Sequence, residues 1–102
     1  MSHDNNMPYG FSVREGSLFC EAISADILAQ RFSTPLYIYS QAAITEAFIE
    51  WANAFDGADH LICFAVKANS NIAVLKLLAS LGSGFDIVSG GELRRVLAAG
   101  GD

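Results

Sequence analysis

The sequence predicts an α/β fold of right-handed βαβ units around a parallel sheet. Three observations carry that expectation. Residues 61–66 form a nearly unbroken apolar run with Leu, Ile, Phe and Val in it, the make-up of a strand buried on both faces. Ile72, Leu75, Leu78 and Ala79 then recur at helical spacing, and Gly82 suits a left-handed C-terminal cap. A second apolar run, 85–88, follows at once, and Gly90 and Gly91 open another helical pattern with Leu93, Val96 and Leu97 inward, ended by Gly100 and Gly101. Strand, helix, strand, helix with short connections calls for parallel pairing.

The earlier elements are read in the same way. Residues 1–10 are polar, with Pro8 and Gly10, and read as a mobile terminus in which His3 is solvated. Residues 11–22 read as a β hairpin: Phe11 and Val13 alternate with Ser12 and Arg14, Glu15 and Gly16 make the turn, and Leu18 and Cys20 resume. Ser24 suits an N-cap with Asp26 in the first helical turn, and Ile27, Leu28 and Phe32 would be its buried stripe. Pro35 disfavours helical geometry at Thr34 and ends that segment. Residues 36–39 read as a strand and Ser40 as the next cap. In the helix that follows, Ile44, Ala47, Phe48, Trp51 and Phe55 form one face, which reads as ordinary core between helix and sheet. For the helix after residue 67, Asn69 or Ser70 is the candidate cap.

Composition narrows the function. The chain has 102 residues, a formal net charge of −5 and only six Lys and Arg, so it carries no basic patch for nucleic acid or an anionic membrane surface. No apolar run is long enough to span a bilayer, and the polar start lacks the pattern of a secretory signal, so the cytoplasm is the default location. Cys20 and Cys63 have no neighbouring His or Cys at metal-ligand spacing, and no metal is expected. Cys63, within the apolar run, reads as a small buried residue, and Cys20 as the same on a strand. His60 precedes its strand at the end opposite Lys67, the stability face of a barrel.

Lys67 is the candidate for chemistry. It ends the apolar run, and the carboxyl ends of strands are where α/β folds bind ligands. An amine there serves a cofactor or substrate, or it marks the strand end and reaches out to water. Asp86 lies on the next strand, with Phe85 and Ile87 pointing the other way, where a carboxylate can reach the neighbouring lysine or simply be solvated. Ser89, Gly90 and Gly91 read first as a tight strand-to-helix turn. Glu92 sits in the first turn of the helix, and Arg94 and Arg95 on its solvated face.

The run FAVKANSN at 64–71, followed by LKLLASLGSGFDIVSGGEL at 75–93, resembles the amino-terminal half of the barrel of the diaminopimelate decarboxylases, in the alanine-racemase-like class of pyridoxal 5'-phosphate enzymes. Ornithine and arginine decarboxylases have a similar lysine motif; the SGGEL run at 89–93 is closer to the diaminopimelate branch. The resemblance implies a (β/α)8 barrel of TIM type, of which this chain holds the opening βα units after a hairpin and short helix. It implies two domains: 1–34, whose hairpin pairs with a carboxy-terminal β domain in the family, and 35–102, a partial barrel. It implies that Lys67 forms the Schiff base with pyridoxal phosphate and that Asp86 lies near it. The implied reaction is decarboxylation of meso-2,6-diaminopimelate to L-lysine by a homodimer.

A complete barrel takes about 250 residues, so the chain is expected to be an amino-terminal fragment, inactive alone. The family's ring-stacking histidine, pyridine-facing glutamate, phosphate-binding glycine loop, and partner-supplied cysteine and tyrosine have no counterpart in it. Two other readings stay open: a related ornithine, arginine or carboxynorspermidine decarboxylase, and a non-catalytic module that binds pyridoxal phosphate or a partner protein.

Overall fold

A computed structural model of the chain describes residues 7–102. The expectation for His3 and the first residues of the terminus lies outside them. The fold is α/β. A three-stranded antiparallel sheet consists of β1 (Phe11–Arg14), β2 (Ser17–Cys20) and β3 (Ile23–Ser24), in that order. Helices α1 (Ala25–Phe32) and α2 (Gln41–Ala54) follow. Then come β4 (Cys63–Ala65), a turn of 3₁₀ helix (Val66–Ala68), α3 (Ile72–Ser80), β5 (Gly84–Asp86) and α4 (Gly90–Ala98). β4 and β5 pair in parallel, Cys63 opposite Gly84 and Ala65 opposite Asp86. The chain divides into two compact units, one ending at Glu46 and the other Ala47–Asp102.

In the first unit the hairpin forms as its alternation requires. Phe11 faces Cys20 and Arg14 faces Ser17. Glu15 and Gly16 both have positive φ, +50° and +80°, the geometry of a two-residue turn that matches strand twist. Ser24 caps α1, its Oγ accepting from the N–H groups of Asp26 (3.1 Å) and Ile27 (3.3 Å). Ser40 is buried, and its Oγ accepts from Ala43 N–H at 3.0 Å, at the start of α2.

A carboxylate that the sequence did not flag joins that cap. Glu21 Oε2 accepts from Ser40 Oγ–H (2.9 Å) and Ala42 N–H (3.1 Å), while Glu21 N–H donates to Gly10 O at 2.7 Å. The Ala42 N–H, then the Ser40 hydroxyl, hold the Glu21 carboxyl below the usual carboxylate range. Gly10 backs onto the same serine: its φ is +89°, and a Cβ there would collide with Ser40 Oγ.

Several expectations are corrected. Residues 36–39 are in no ladder; Tyr37 is exposed, because a segment becomes a strand only where a neighbour takes its backbone groups. Ile27 and Phe32 are exposed on α1, and Trp51 and Phe55 are exposed as well, stacked on each other with ring centroids 6.2 Å apart. A helix face is buried only where another element lies over it.

The second unit has its core between the parallel pair and its helices. Val66, Leu75, Val96 and Ala99 are buried together, with Phe64, Phe85 and Ile87 packed against them. Leu93 and Leu97, expected inward, are exposed, and Val96 alone of that set is buried. β4 is not covered on both faces: Cys63 is exposed, whereas Cys20 on β2 is buried, and both thiols are free. Ladder pairing covers 84–86, not the 85–88 read from the apolar run. The cap of α3 is Asn71, one residue past the two candidates, with Oδ1 accepting from Ala73 N–H (2.9 Å) and Val74 N–H (3.4 Å).

Both helices end alike. After α3, Gly82 N–H donates to Ala79 O and Ser83 N–H to Leu78 O; after α4, Gly100 N–H donates to Leu97 O and Gly101 N–H to Val96 O. This is the Schellman pattern, with φ of +91° at Gly82 and Gly100. Among the described residues no helix is long and apolar enough to cross a membrane, and no three His, Cys, Asp or Glu side chains cluster as metal ligands.

Candidate functional site

The candidate residues gather at the carboxyl end of the parallel pair. β4 ends at Ala65, and the backbone then tightens into the 3₁₀ turn that carries Lys67. Strand alternation therefore stops before the lysine. The turn starts on Val66, which is completely buried, so its neighbour Lys67 projects outward and is exposed.

Asp86 ends β5 and stands opposite Ala65, one strand spacing away, about 4.8 Å. Phe85 and Ile87 on either side of it pack into the core, so alternation sends Asp86 to the other face, where it is exposed. Lys67 and Asp86 are thus both exposed, on adjacent strand ends, with Ala65 and Ala68 adding little bulk between and beside them.

The segments after each strand are braced by side chains. Asn71 N–H donates to Asn69 Oδ1 at 3.0 Å, shaping the loop between Lys67 and α3. Ser89 caps α4, accepting from Glu92 N–H at 3.1 Å, and Glu92 Oε1 accepts from Val88 N–H at 2.8 Å. These two bonds tie the residues on either side of the helix start together, so Ser89, Gly90, Gly91 and Glu92 form a strand-to-helix turn. Arg94 and Arg95 are exposed as read, but Arg95 also reaches across: its Nη1 donates to Ser70 O at 3.2 Å. No spacing rule in the sequence links positions 70 and 95; only the fold brings them together. His60 is exposed, its ring beside Phe55 and its Nδ1 2.8 Å from Ala58 O.

The first unit holds a hollow of about 450 Å³, lined by Cys20, Leu28, Phe32 and Tyr37 among others, and neither Lys67 nor Asp86 borders it. Burial, then the Glu21 charge, push the Cys20 thiol up, which leaves it protonated and unreactive at neutral pH.

A primary amine presented at the carboxyl edge of a parallel pair, with a carboxylate on the next strand, is the arrangement of an α/β site that holds a carbonyl-bearing cofactor. The family profile described as pyridoxal-dependent decarboxylase, pyridoxal binding domain, matches residues 41–102, and the chain belongs to that family. Its cofactor is pyridoxal phosphate.

Individual relatives narrow the likeness. The chain is 62% identical over 86 residues to the diaminopimelate decarboxylase of Neisseria meningitidis serogroup B, covering 84% of this chain and 21% of the relative. It is 58% identical over 91 residues to that of Pseudomonas fluorescens, covering 89% and 22%. The crystal structure of the diaminopimelate decarboxylase from M. jannaschii in complex with L-lysine superposes with a TM-score of 0.85 at 34% identity, covering 91% of this chain and 23% of that one. The chain spans about a fifth of the length of the curated relatives it matches.

The residues present fit the cofactor. A pyridoxal aldehyde needs an uncovered primary amine with room beside it, and exposed Lys67 between Ala65 and Ala68 offers both. At the α4 amino terminus Ser89 takes the Glu92 N–H and Glu92 takes the Val88 N–H.

Proposed function

We propose that this chain supplies the cofactor-holding lysine of a pyridoxal-phosphate-dependent decarboxylase that converts meso-2,6-diaminopimelate to L-lysine and carbon dioxide. The observation that carries it is Lys67: an exposed amine at the carboxyl edge of the parallel pair, in the pyridoxal binding domain of this family. The names of the relatives support the substrate, as does the lysine-bound crystal structure, whose ligand is the product of that reaction.

When bound, pyridoxal phosphate supplies an electron sink for the carbanion left as the α-carboxylate departs. Lys67 would hold the cofactor through Nζ. Asp86, from the adjacent strand end, would orient Nζ and exchange a proton there. None of the described residues is assigned to excluding water or to holding the ring and phosphate, and the chain spans about a fifth of the relatives' length. A cytoplasmic homodimer is part of the same reading, supported by the sequence resemblance.

The test is intact-mass analysis after incubation with pyridoxal phosphate and borohydride. A single adduct on the wild-type chain, absent from Lys67→Ala, is the expected result. No adduct, or one equally abundant in Lys67→Ala, refutes the assignment of Lys67. The 102-residue chain alone is expected to release no carbon dioxide from diaminopimelate at enzymatic rates, because positioning and electrostatics supply most of such a rate.

A further inference from the structure

Helix α4 holds the chain on both sides of Lys67. Behind the lysine, Val66 is buried with Val96 and Ala99. Ahead of it, Arg95 Nη1 donates to Ser70 O at 3.2 Å. Arg95 and Val96 are consecutive, so one dipeptide anchors the residue before the lysine and the loop after it. The other bonds of that loop are local: Asn69 N–H to Val66 O at 3.0 Å, and Asn71 N–H to Asn69 Oδ1 at 3.0 Å. With the Asn71 cap they tie the loop forward to α3; its tie to α4 is the Arg95 bond. Glu92, one turn earlier on α4, is engaged by Val88 N–H and leaves the guanidinium to Ser70.

We infer that Arg95 is a positioning residue for Lys67: by pinning the Ser70 carbonyl to α4 it fixes the turn that presents the amine. A guanidinium suits the task, since its fork of donors is rigid and its charge strengthens the bond to a carbonyl. The inference deepens the proposed function and rests on Lys67 being the cofactor lysine.

The experiment measures the rate of borohydride-trapped adduct formation on Lys67 with pyridoxal phosphate, using the full 102-residue chain. Wild type, Arg95→Met, Arg95→Gln, Arg95→Lys and Arg94→Met are compared at a temperature where circular dichroism shows each folded. Amide hydrogen exchange over residues 69–73 is followed in parallel. Arg95→Met is expected to slow trapping by about three- to tenfold, the range of one charge-assisted hydrogen bond at an exposed site. Arg95→Lys recovers part of the rate, Arg94→Met matches wild type, and exchange over 69–73 rises only in the Arg95 variants that lose the bond. If Arg95→Met does not fold, Arg95→Gln takes its place.

Unchanged trapping overturns the inference, even with faster exchange, since Arg95 would then brace the loop and nothing more. Equal slowing in Arg94→Met also overturns it. Absence of any wild-type adduct defeats the cofactor assignment instead, and exchange then decides for Arg95: no rise over 69–73 in Arg95→Met overturns the pinning itself.

Discussion

Truncating Val66 to alanine strikes the core on which the lysine turn is built. Val66 is fully buried and packs with Leu75, Val96 and Ala99, with Phe64, Phe85 and Ile87 around them. Val66→Ala removes two methyl groups, about 1.6 kcal/mol of transfer free energy at roughly 0.8 kcal/mol for each carbon. The neighbours relax only partly into the gap, and a residual hole of about 40 Å³ adds about 1 kcal/mol. A loss of about 2–3 kcal/mol is therefore expected, a large share of the roughly 5–15 kcal/mol that stabilises a typical domain. Urea unfolding measures it, followed by circular dichroism and by the fluorescence of Trp51. That single tryptophan belongs to the same compact unit as Val66. Leu97→Ala is the reference, at a site 58% exposed, where the change should stay within about 0.5 kcal/mol. The urea midpoint should fall in Val66→Ala with the slope unchanged, the sign of altered stability and not altered compactness. A loss no larger than that of Leu97→Ala would refute the packing argument.

Two further outcomes concern the first unit. The Glu21 carboxyl is held below its usual range by Ala42 N–H and then Ser40, so its folded pKa lies under the unfolded value of about 4.3. Such a group contributes stability above the unfolded pKa and loses it as pH falls through the folded one. Urea midpoints measured down a pH series should therefore drop on acidification below about pH 5, and Glu21→Gln should flatten that drop; identical slopes would remove Glu21 from the account. Gly10→Ala, with φ of +89° and the Ser40 side chain in the way, should cost about 1–3 kcal/mol. Gly16→Ala has the same unfavourable φ sign but no heavy atom within 4 Å, so thermal melting should show a smaller loss of about 1 kcal/mol. Equal losses would mean that Ser40 yields freely.

The sequence revealed the element types because each rests on local chemistry. The Ser24 and Ser40 caps, the Glu15 and Gly16 turn, and the Gly82 and Gly100 helix stops are all decided by residues within one turn of the backbone. Lys67 and Asp86 could be placed at strand ends for the same reason. What the sequence concealed depends on partners distant along the chain. Trp51 and Leu97 satisfy a helical stripe whether or not a sheet covers it, and residues 36–39 have strand composition whether or not a neighbour pairs with them. Glu21 at the start of α2 and Arg95 on Ser70 join positions about twenty or more apart. Periodicity is blind to such pairs, whereas a cap or turn announces itself in a tetrapeptide.

The pairing of β4 with β5 bears on when this site comes into being. Cys63 meets Gly84 across roughly twenty residues of chain, a short loop whose closure costs little entropy and whose interior is already helical. The buried partners of Val66 lie between Leu75 and Ala99, so the last of them follows the β5 strand by only one helix. A ribosome that has delivered α4 has therefore delivered everything the lysine turn needs to fold. In a polypeptide as long as the relatives, Lys67 can stand in its final local geometry while most of that length has yet to be synthesised.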